Sequence, residues 1–370
     1  MRKILYYAEA WGLGGIESFI MNAIRGFDQR EFTVSIFSVH DWSDAYDEEL
    51  EALGVSRFCL YKGYKPSLLK RYVTGVTAWR KIIKQQKPDI VHVNVMNGLG
   101  LIYAAVAKGM GVRLCVAHSH NTSFGSGSRT IKTCAHFIGK MLFTRQVDKR
   151  IACSSEAGHY IFDDKTFEVI CNGIDVQRFR FDADARHRVR ESLGIGNEVF
   201  VFGSVGRISE QKNPVFQLNL LEDLLKAGIN ARLLLVGTGA MFGEVKKEAA
   251  RRSVASYVSM PGATSVPEDF LCALDAMTMP SLFEGAPFAL VEALCNGLPC
   301  IVSESVPQPV SVDAQVTKLS LDRIDVWEDE LSSRALSGAT DRMQGLNAVA
   351  GTSYDSECMR TRLQSIYEMQ

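Results

Sequence analysis

The residues best suited to chemistry lie in two turns of the second half of the chain. The turn GRISEQK contains Arg207 and Lys212, a planar guanidinium and a compact ammonium that can hold a diphosphate. The segment PSLFEGAPFALVEA contains Glu284 and Glu292, eight residues apart. Pro287 suits the first turn of a helix, which puts Glu284 in the loop before it and Glu292 inside it. At about 1.5 Å per helical residue plus an extended loop, the carboxylates would lie roughly 10 Å apart, the scale of a diphosphate with a hydroxyl-bearing ring at each end.

Turns of this kind bind ligands because of where they stand in a parallel sheet. Ligands of open α/β sheets lie outside the carboxyl ends of the strands, where helix N-termini and free N–H groups favour phosphates. A further turn, WGLGGIE, puts Gly14 and Gly15 directly after the first strand, where glycine lets a ligand approach the backbone. It is not G-x-G-x-x-G, and no acid after the second strand is placed to bind a ribose, which disfavours a nicotinamide oxidoreductase.

Short β-branched runs alternate with helical patterns in both halves of the chain. Strands are predicted at 2–8, 32–39, 89–95, 113–117 and 150–153, with helices near 15–26, 66–87, 99–109 and 127–146. After a charged stretch that we expect to be irregular, 176–197, the alternation restarts at EVFVFGSVGR, with helices near 214–227, 241–252, 267–273 and 287–296. Residues 313–352 are weakly patterned, and 353–370 form an amphipathic helix.

Length and composition predict a globular protein with two cores. A chain of 370 residues exceeds what one core supports. We expect domains at 1–175, joined by the helix 353–370, and at 176–352. The nine cysteines are scattered without metal-ligand spacing, so we expect buried, reduced thiols. The N-terminus does not resemble a secretory signal and no apolar run could cross a bilayer, so we expect a cytoplasmic protein.

Charge is distributed unevenly, although the net charge is only −1. Between Arg57 and Arg150 there are seventeen Lys and Arg against two acids, so this basic segment carries +15 and the rest of the chain −16. Aromatic residues are not interleaved as a stacking platform, which disfavours nucleic acid. We expect either a solvated surface or attraction to anionic lipid at the inner face of the cell membrane, at about 1 kcal/mol per basic residue.

The motifs GLGGIE, GRISEQK, NGIDVQRF, LLLVGTG, MPGA and PSLFEGAPFALVEALCNGLPCIVSE resemble glycosyltransferase family 4, and in particular bacterial exopolysaccharide and capsule glycosyltransferases. The match runs from residue 2 to about 306, and the Glu-x7-Glu element is its most specific part. The resemblance implies the GT-B fold, with two Rossmann-like domains facing across a cleft and a C-terminal helix packed on the N-terminal domain. It also implies an enzyme that retains anomeric configuration and uses a nucleotide-sugar donor, by family frequency a UDP-sugar.

The resemblance also implies site residues. Arg207 and Lys212 would bind the diphosphate, Glu292 the ribose hydroxyls and Glu284 the donor sugar. His120 in AHSHNTS matches the active-site histidine of the family, with His118 as the alternative. The other donor-site positions are small or apolar: Gly14, Gly15, Gly206, Gly237, Gly262, Gly285, Ala286, Phe288 and Ala289.

The chemistry implied by these roles needs no metal cofactor. Breaking a sugar–diphosphate bond leaves negative charge on the nucleotide, which cations and helix N–H groups stabilise. The acceptor would be a saccharide or a lipid-diphosphate-linked saccharide. Two alternatives remain: a GT-B-fold nucleotide-sugar epimerase or hydrolase, and a non-catalytic partner of another transferase.

Overall fold

The computed structural model describes residues 1–122, 129–307, 316–338, 342 and 344–368. They form two compact units, Met1–Gly173 with Ser356–Gln370, and Ile174–Asp355. Each unit has its own parallel sheet with helices packed against it, so both are Rossmann-like and the predicted fold class is confirmed.

The N-terminal unit contains a seven-stranded sheet in the order β3-β2-β1-β4-β5-β6-β7. Its strands are β1 (Arg2–Trp11), β2 (Phe32–Asp41), β3 (Ser56–Lys62), β4 (Ile90–Val95), β5 (Leu114–Ser119), β6 (Lys149–Ala152) and β7 (Glu168–Val169). Its first helices are α1 (Gly15–Ile24), α2 (Asp47–Ala52), α3 (Leu68–Gln86), α4 (Ile102–Gly109), α5 (Arg129–Phe143) and α6 (Ser155–Phe162). The winding reverses between β1 and β4, which makes the carboxyl ends of these strands the expected ligand edge.

The C-terminal unit contains a six-stranded sheet in the order β10-β9-β8-β11-β12-β13. Its strands are β8 (Phe200–Val205), β9 (Ala231–Val236), β10 (Val258–Gly262), β11 (Ala276–Met279), β12 (Cys300–Ser303) and β13 (Val316–Leu319). Its helices are α7 (Ala183–Ser192), α8 (Pro214–Lys226), α9 (Phe242–Arg251), α10 (Pro267–Ala273), α11 (Phe288–Cys295), α12 (Ile324–Ser337) and α13 (Gly345–Val349). Because β8 lies at the centre and the winding reverses between β8 and β11, the loops after these two strands stand side by side.

The last helix, α14 (Ser356–Glu368), belongs to the N-terminal unit, as the fold prediction required. Its Met359, Leu363, Ile366 and Tyr367 are buried, and the helix packs on α1. The apolar spacing that predicted an amphipathic helix therefore marks the face that the helix buries.

Several sequence expectations need correction. The stretch 176–197 is not irregular throughout, because Ala183–Ser192 form α7. The elements α2, β3, α6 and β7 were not predicted. Pro287 is not in the first turn of α11 but directly before it, in extended conformation. All nine cysteines are free of disulfides, but only five are buried: Cys134 is exposed, and Cys59, Cys171 and Cys358 are partly buried. The predicted helix start at 127 lies outside the described residues, as do 313–315, 339–341 and 343 of the weakly patterned segment.

None of the helices in the described ranges combines the length and hydrophobicity that crossing a bilayer requires.

Candidate active site

Glycines bring three strand ends of the C-terminal unit close together. Gly206, Gly237 and Gly262 stand at the ends of β8, β9 and β10, with φ angles of 146°, 133° and 97°. The N–H of Gly237 donates to the carbonyl of Gly262 at 2.8 Å, and a Cβ on Gly237 would collide with the carbonyl of Gly206. Only glycine fits this combination of φ and backbone contact, so these positions build a narrow, backbone-lined edge.

The cations predicted to bind a diphosphate follow directly from β8. Lys212 ends a short 3₁₀ turn, Glu210–Lys212, and its Nζ lies 2.6 Å from Oε1 of Glu284. Arg207 is exposed and forms no salt bridge with any residue in the described ranges. Lys212 is thus held in place by a carboxylate, whereas the guanidinium of Arg207 is available to an anion.

The loop after β8 and the loop after β11 are tied together. The Leu282 N–H donates to the carbonyl of Gln211 at 2.8 Å, and the Gln211 side chain returns a bond to the carbonyl of Phe283 at 2.9 Å. The same amide lies 3.4 Å from the second carboxylate oxygen of Glu284. These bonds bring Lys212 and Glu284, more than seventy residues apart in sequence, into one site.

Polar side chains support the floor beneath Lys212. A small pocket there is lined by Ser204, Gly206, Lys212, Gln217, Thr278 and Ser281, among others. The hydroxyl of Thr278 donates to Oε1 of Gln217 at 2.8 Å, and Nε2 of Gln217 donates to Ser204 at 3.2 Å. Because these side chains are hydrogen-bonded to one another, they support the loop after β8 and do not take the ammonium of Lys212 as a partner.

Glu292 lies in α11, one helical turn and a loop beyond Glu284. Burial raises its pKa to about 7; the charge of Arg178 lowers it, that of Glu268 raises it and that of Lys212 lowers it. Arg178 and Glu268 form a two-pronged pair of 2.8 and 3.0 Å. A carboxyl of this kind, near half protonation at neutral pH, can both donate to and accept from the hydroxyls of a bound ribose.

The remaining donor-site positions surround the start of α11. Gly285, Ala286, Phe288 and Ala289 are all partly buried and stand between Glu284 and Glu292. The first backbone N–H groups of α11 have no side-chain cap within the described residues, since Pro287 precedes the helix. N–H groups in this position suit an anion.

In the N-terminal unit, Gly14 directly precedes α1 and Gly15 is its first residue. His118 lies inside β5 and is fully buried, whereas His120 follows the end of the strand and is 9% exposed. The position at the strand end favours His120 over His118 as the histidine that can meet a ligand.

Asn94 orients the imidazole of His120. Nδ2 of Asn94 donates to the carbonyl of Tyr7 at 3.0 Å, so its Oδ1 is the atom that faces Nε2 of His120 at 2.9 Å. Nε2 must then carry the proton and donate, which leaves Nδ1 with its lone pair. Nδ1 has no hydrogen-bond partner of good geometry in the part of the chain that the structure describes, although the side chain of Asn172 interacts with the imidazole and raises its pKa against the effect of burial. His120 can therefore accept a hydrogen bond or a proton from a ligand.

A chain of buried groups lies behind His120. The hydroxyls of Tyr6 and Tyr367 are 2.9 Å apart, Tyr367 lies 2.6 Å from Nδ1 of His92, and Nε2 of His92 lies 3.3 Å from Nδ1 of His118. The rings of His118 and His120 are 4.1 Å apart. Burial lowers the pKa of all three histidines, to about 3 for His92 and His120, so they are neutral near pH 7.

Sequence reasoning missed Asn94 and Glu268, and it gave Arg178 only as part of a motif. A polar residue near the end of an otherwise apolar strand, such as Asn94 in IVHVNV, is the signal that could have identified the first. Glu268 lies in the first turn of α10, where an acid also suits the helix dipole, so sequence alone offers no functional signal there.

Two Rossmann-like units of this kind are typical of the GT-B class of glycosyltransferases, and comparison with known proteins agrees. The model described as "Glycosyl transferases group 1" matches residues 185–328, and "Glycosyltransferase Family 4" matches residues 13–178. The putative glycosyltransferase EpsF of Bacillus subtilis is 30% identical, covering 100% of this chain and 97% of the relative. The chain therefore belongs to glycosyltransferase family 4.

Two further similarities extend this comparison. An Escherichia coli enzyme named UDP-Gal:alpha-D-GlcNAc-diphosphoundecaprenol alpha-1,3-galactosyltransferase is 25% identical, covering 79% of this chain and 76% of the relative. The crystal structure of Anabaena HepE with UDP and glucose superimposes with a TM-score of 0.76 at 17% identity, covering 100% of both chains. The second similarity concerns the fold alone.

Proposed function

We propose that this glycosyltransferase moves a hexosyl or N-acetylhexosaminyl residue from a UDP-sugar to a saccharide or lipid-diphosphate-linked saccharide, with retention, in surface polysaccharide biosynthesis. The observation that carries the proposal is the grouping of Arg207, Lys212, Glu284 and Glu292 around two adjoining strand-end loops. UDP is supported by the name of the Escherichia coli relative.

The charges of this group fit the departure of a nucleoside diphosphate. When the bond between the sugar and the diphosphate breaks, negative charge develops on the phosphate, and Arg207 is available to meet it. Lys212 adds a second cation and α11 adds backbone N–H groups. Protein groups supply this stabilisation in the proposal, which includes no metal.

Glu284 and Glu292 take the two ends of the donor. Glu292 would hold the ribose hydroxyls. Glu284, held beside Lys212, would accept from hydroxyls of the transferred sugar. His120 of the N-terminal unit offers Nδ1 to a hydroxyl of the acceptor.

The test is thermal stabilisation without metal by UDP, GDP, ADP and their glucose derivatives. We expect a selective upward shift with the uridine compounds that is lost in Glu292→Ala and in Arg207→Ala/Lys212→Ala. Glu244→Ala, in the first turn of α9, is the matched control and should keep the shift. A protein that none of these compounds stabilises would refute the donor site.

Reaction products separate transfer from the alternatives. A hydrolase releases free sugar from the nucleotide sugar without acceptor, and an epimerase returns an isomeric sugar. A non-catalytic partner leaves the nucleotide sugar unchanged even with acceptor glycolipids extracted from a polysaccharide-producing bacterium. We expect a labelled product only when those glycolipids are present.

We further propose that the N-terminal unit works at the cytoplasmic face of an anionic membrane. The outer face of α5 exposes Phe137, Ile138, Met141 and Leu142, while its inner face packs on Gly98 through Gly139. Exposed cations lie on α3, the neighbour of α4: Lys70, Arg80, Lys81 and Lys84. A unit that exposes both an apolar helix face and basic residues is suited to peripheral membrane binding.

Not every cation of the basic segment is free to serve this surface, because at least four in the described ranges form salt bridges. The pairs are Arg57 with Asp41, Arg71 with Glu9, Lys108 with Asp148 and Lys140 with Asp163.

Vesicle sedimentation tests the membrane proposal. Binding should require anionic lipid, weaken with salt and weaken in Met141→Glu. Leu336→Glu, at an equally exposed apolar position of α12 in the other unit, should leave binding unchanged. Vesicle binding that does not depend on lipid charge would contradict the membrane proposal. So would an equal loss of binding in the two variants.

A further inference from the structure

A second group of side chains lies over the carboxyl ends of β1, β2 and β3, away from His120. Trp42 follows β2 and Tyr64 follows β3, and these aromatic residues are 53% and 54% exposed. Large aromatic side chains left half in solvent commonly mark a binding surface.

Charged and polar groups form the base of this surface. Arg71, near the start of α3, reaches Glu9 of β1 at 3.0 Å, and the side chains are only 10% and 16% exposed. His40 of β2 is buried, and neither of its ring nitrogens has a hydrogen-bond partner of good geometry in the described chain. Burial, and then the charge of Arg71, lower the pKa of His40 to about 4, so the imidazole is neutral. The base is therefore rich in hydrogen-bonding groups; the charges of Glu9 and Arg71 offset each other, and Lys65 adds a positive charge near His40.

The aromatic residues are connected to this base through ring contacts. The ring of His40 lies 6.2 Å from that of Trp42 and 6.3 Å from that of Tyr61, which meets Tyr64 edge-on at 6.0 Å. The backbone N–H of Trp42 donates to the backbone carbonyl of Trp11 at 2.8 Å, which connects the loop after β2 to the end of β1. The exposed rings are thus held over the polar base by packed neighbours.

We propose that Trp42, Tyr64, Glu9 and Arg71, here called the aromatic shelf, bind a neutral sugar unit of an oligosaccharide acceptor; this rests on the transferase function proposed above. The aromatic faces pack against the C–H face of a pyranose ring. Glu9 accepts from sugar hydroxyls and Arg71 donates to them. Because the two charges offset each other, the shelf suits hydroxyls better than a phosphate or a carboxylate.

The position of the shelf requires an acceptor of more than one sugar. His40 on β2 pairs with Ala10 of β1, and β1 is followed across the sheet by β4 and β5, the strand that His120 follows. Three strand spacings separate β2 from β5, about 14 Å. A hydroxyl that reacts near His120 and a ring on the shelf would therefore belong to different units of one chain.

Tryptophan fluorescence gives a readout independent of catalysis. Trp42 is the exposed tryptophan of the chain, because Trp11, Trp79 and Trp327 are fully buried and all four lie in described ranges. Acrylamide quenching should therefore report mainly on Trp42 and disappear in Trp42→Phe. The probes are maltotetraose, cellotetraose and chitotetraose at millimolar concentration, with thermal stabilisation by UDP measured on the same samples.

We expect at least one tetrasaccharide to protect the quenchable fluorescence and the matching monosaccharide to protect it much less. Tyr64→Ala should lose this protection, while Tyr257→Ala, an exposed tyrosine of the other unit, should keep it. Both variants should keep the thermal shift with UDP.

Each other outcome overturns a different statement. No protection by any tetrasaccharide, with UDP still stabilising, refutes the shelf and leaves the donor site standing. Protection by anionic vesicles instead of tetrasaccharides also refutes the shelf, because Trp42 would then contact lipid. If UDP does not stabilise the unmodified protein against heat, the proposed function itself is refuted.

Discussion

Replacing Lys212 by methionine removes the partner of an almost fully buried carboxylate. The Nζ–Oε1 distance is 2.6 Å, and the side chains of Lys212 and Glu284 are 24% and 7% exposed. An exposed ion pair contributes up to about 1 kcal/mol, whereas removing one partner of a fully buried pair costs about 3–5 kcal/mol. Because Glu284 is buried and Lys212 is partly solvated, we expect Lys212→Met to lower the free energy of unfolding by about 2 kcal/mol. The side-chain amide of Gln211, 3.4 Å from the Glu284 carboxylate, compensates little for the lost ammonium.

Differential scanning calorimetry measures this loss. For a unit of this size, about 2 kcal/mol lowers the Tm by about 4–8 °C. Glu284→Gln/Lys212→Met restores a neutral pair and should recover about half of the loss, which gives the coupling energy of the pair. If Lys212→Met has the same Tm as the unmodified protein, the two side chains do not form the ion pair on which the donor site is built.

Three further predictions concern single groups. Burial raises the pKa of Glu292 to about 7, so folding favours the protonated carboxyl, and the unmodified protein loses stability as pH rises from about 4.5 to 7. Glutamine does not titrate, so the stability of Glu292→Gln relative to the unmodified protein should increase over that range and stay constant above it. Thermal melts across the range measure this difference. Gly237→Ala should lower the free energy of unfolding by about 1–3 kcal/mol, because the φ of 133° is strained for alanine. Gly243→Ala, inside α9 with open space at Cβ, should raise it by about 0.5–1 kcal/mol, and urea unfolding measures both changes. Asn94→Asp places a carboxylate against Nε2 of His120 and raises the pKa of that histidine, so transfer should fail at acid pH and recover at alkaline pH; an unchanged pH profile would contradict the assigned tautomer.

The order of strands and helices could largely be predicted because parallel sheets need apolar, β-branched strands between amphipathic crossovers. Helix α7 could not, since its sequence ADARHRVRES has little apolar character. Asp182 caps it through the N–H groups of Asp184 and Ala185. Arg186 and Arg190 stabilise it by binding Asp275, which lies 89 and 85 residues further along the chain. A helix held by capping and by distant partners leaves no periodic signal in its own sequence.

The candidate site divides in the same way. Motif spacing places Arg207, Lys212, Glu284 and Glu292 in loops and in a helix start, because glycine, proline and apolar runs fix those elements locally. The pairing of Lys212 with Glu284 depends on β8 and β11 being neighbours in the sheet, which no local pattern specifies.

The pair of Lys212 and Glu284 also predicts how the site distinguishes the whole donor from its nucleotide. UDP alone would draw Lys212 towards its phosphates and leave Glu284 buried with a weakened partner. A UDP-sugar would give Glu284 hydroxyl donors in exchange. We therefore expect UDP-sugar to bind more tightly than UDP in calorimetric titration, and Glu284→Gln to narrow that difference by tightening UDP and weakening the sugar nucleotide. A variant that weakens both ligands equally would mean that Glu284 only supports the loop, because a purely structural residue cannot change the preference between them.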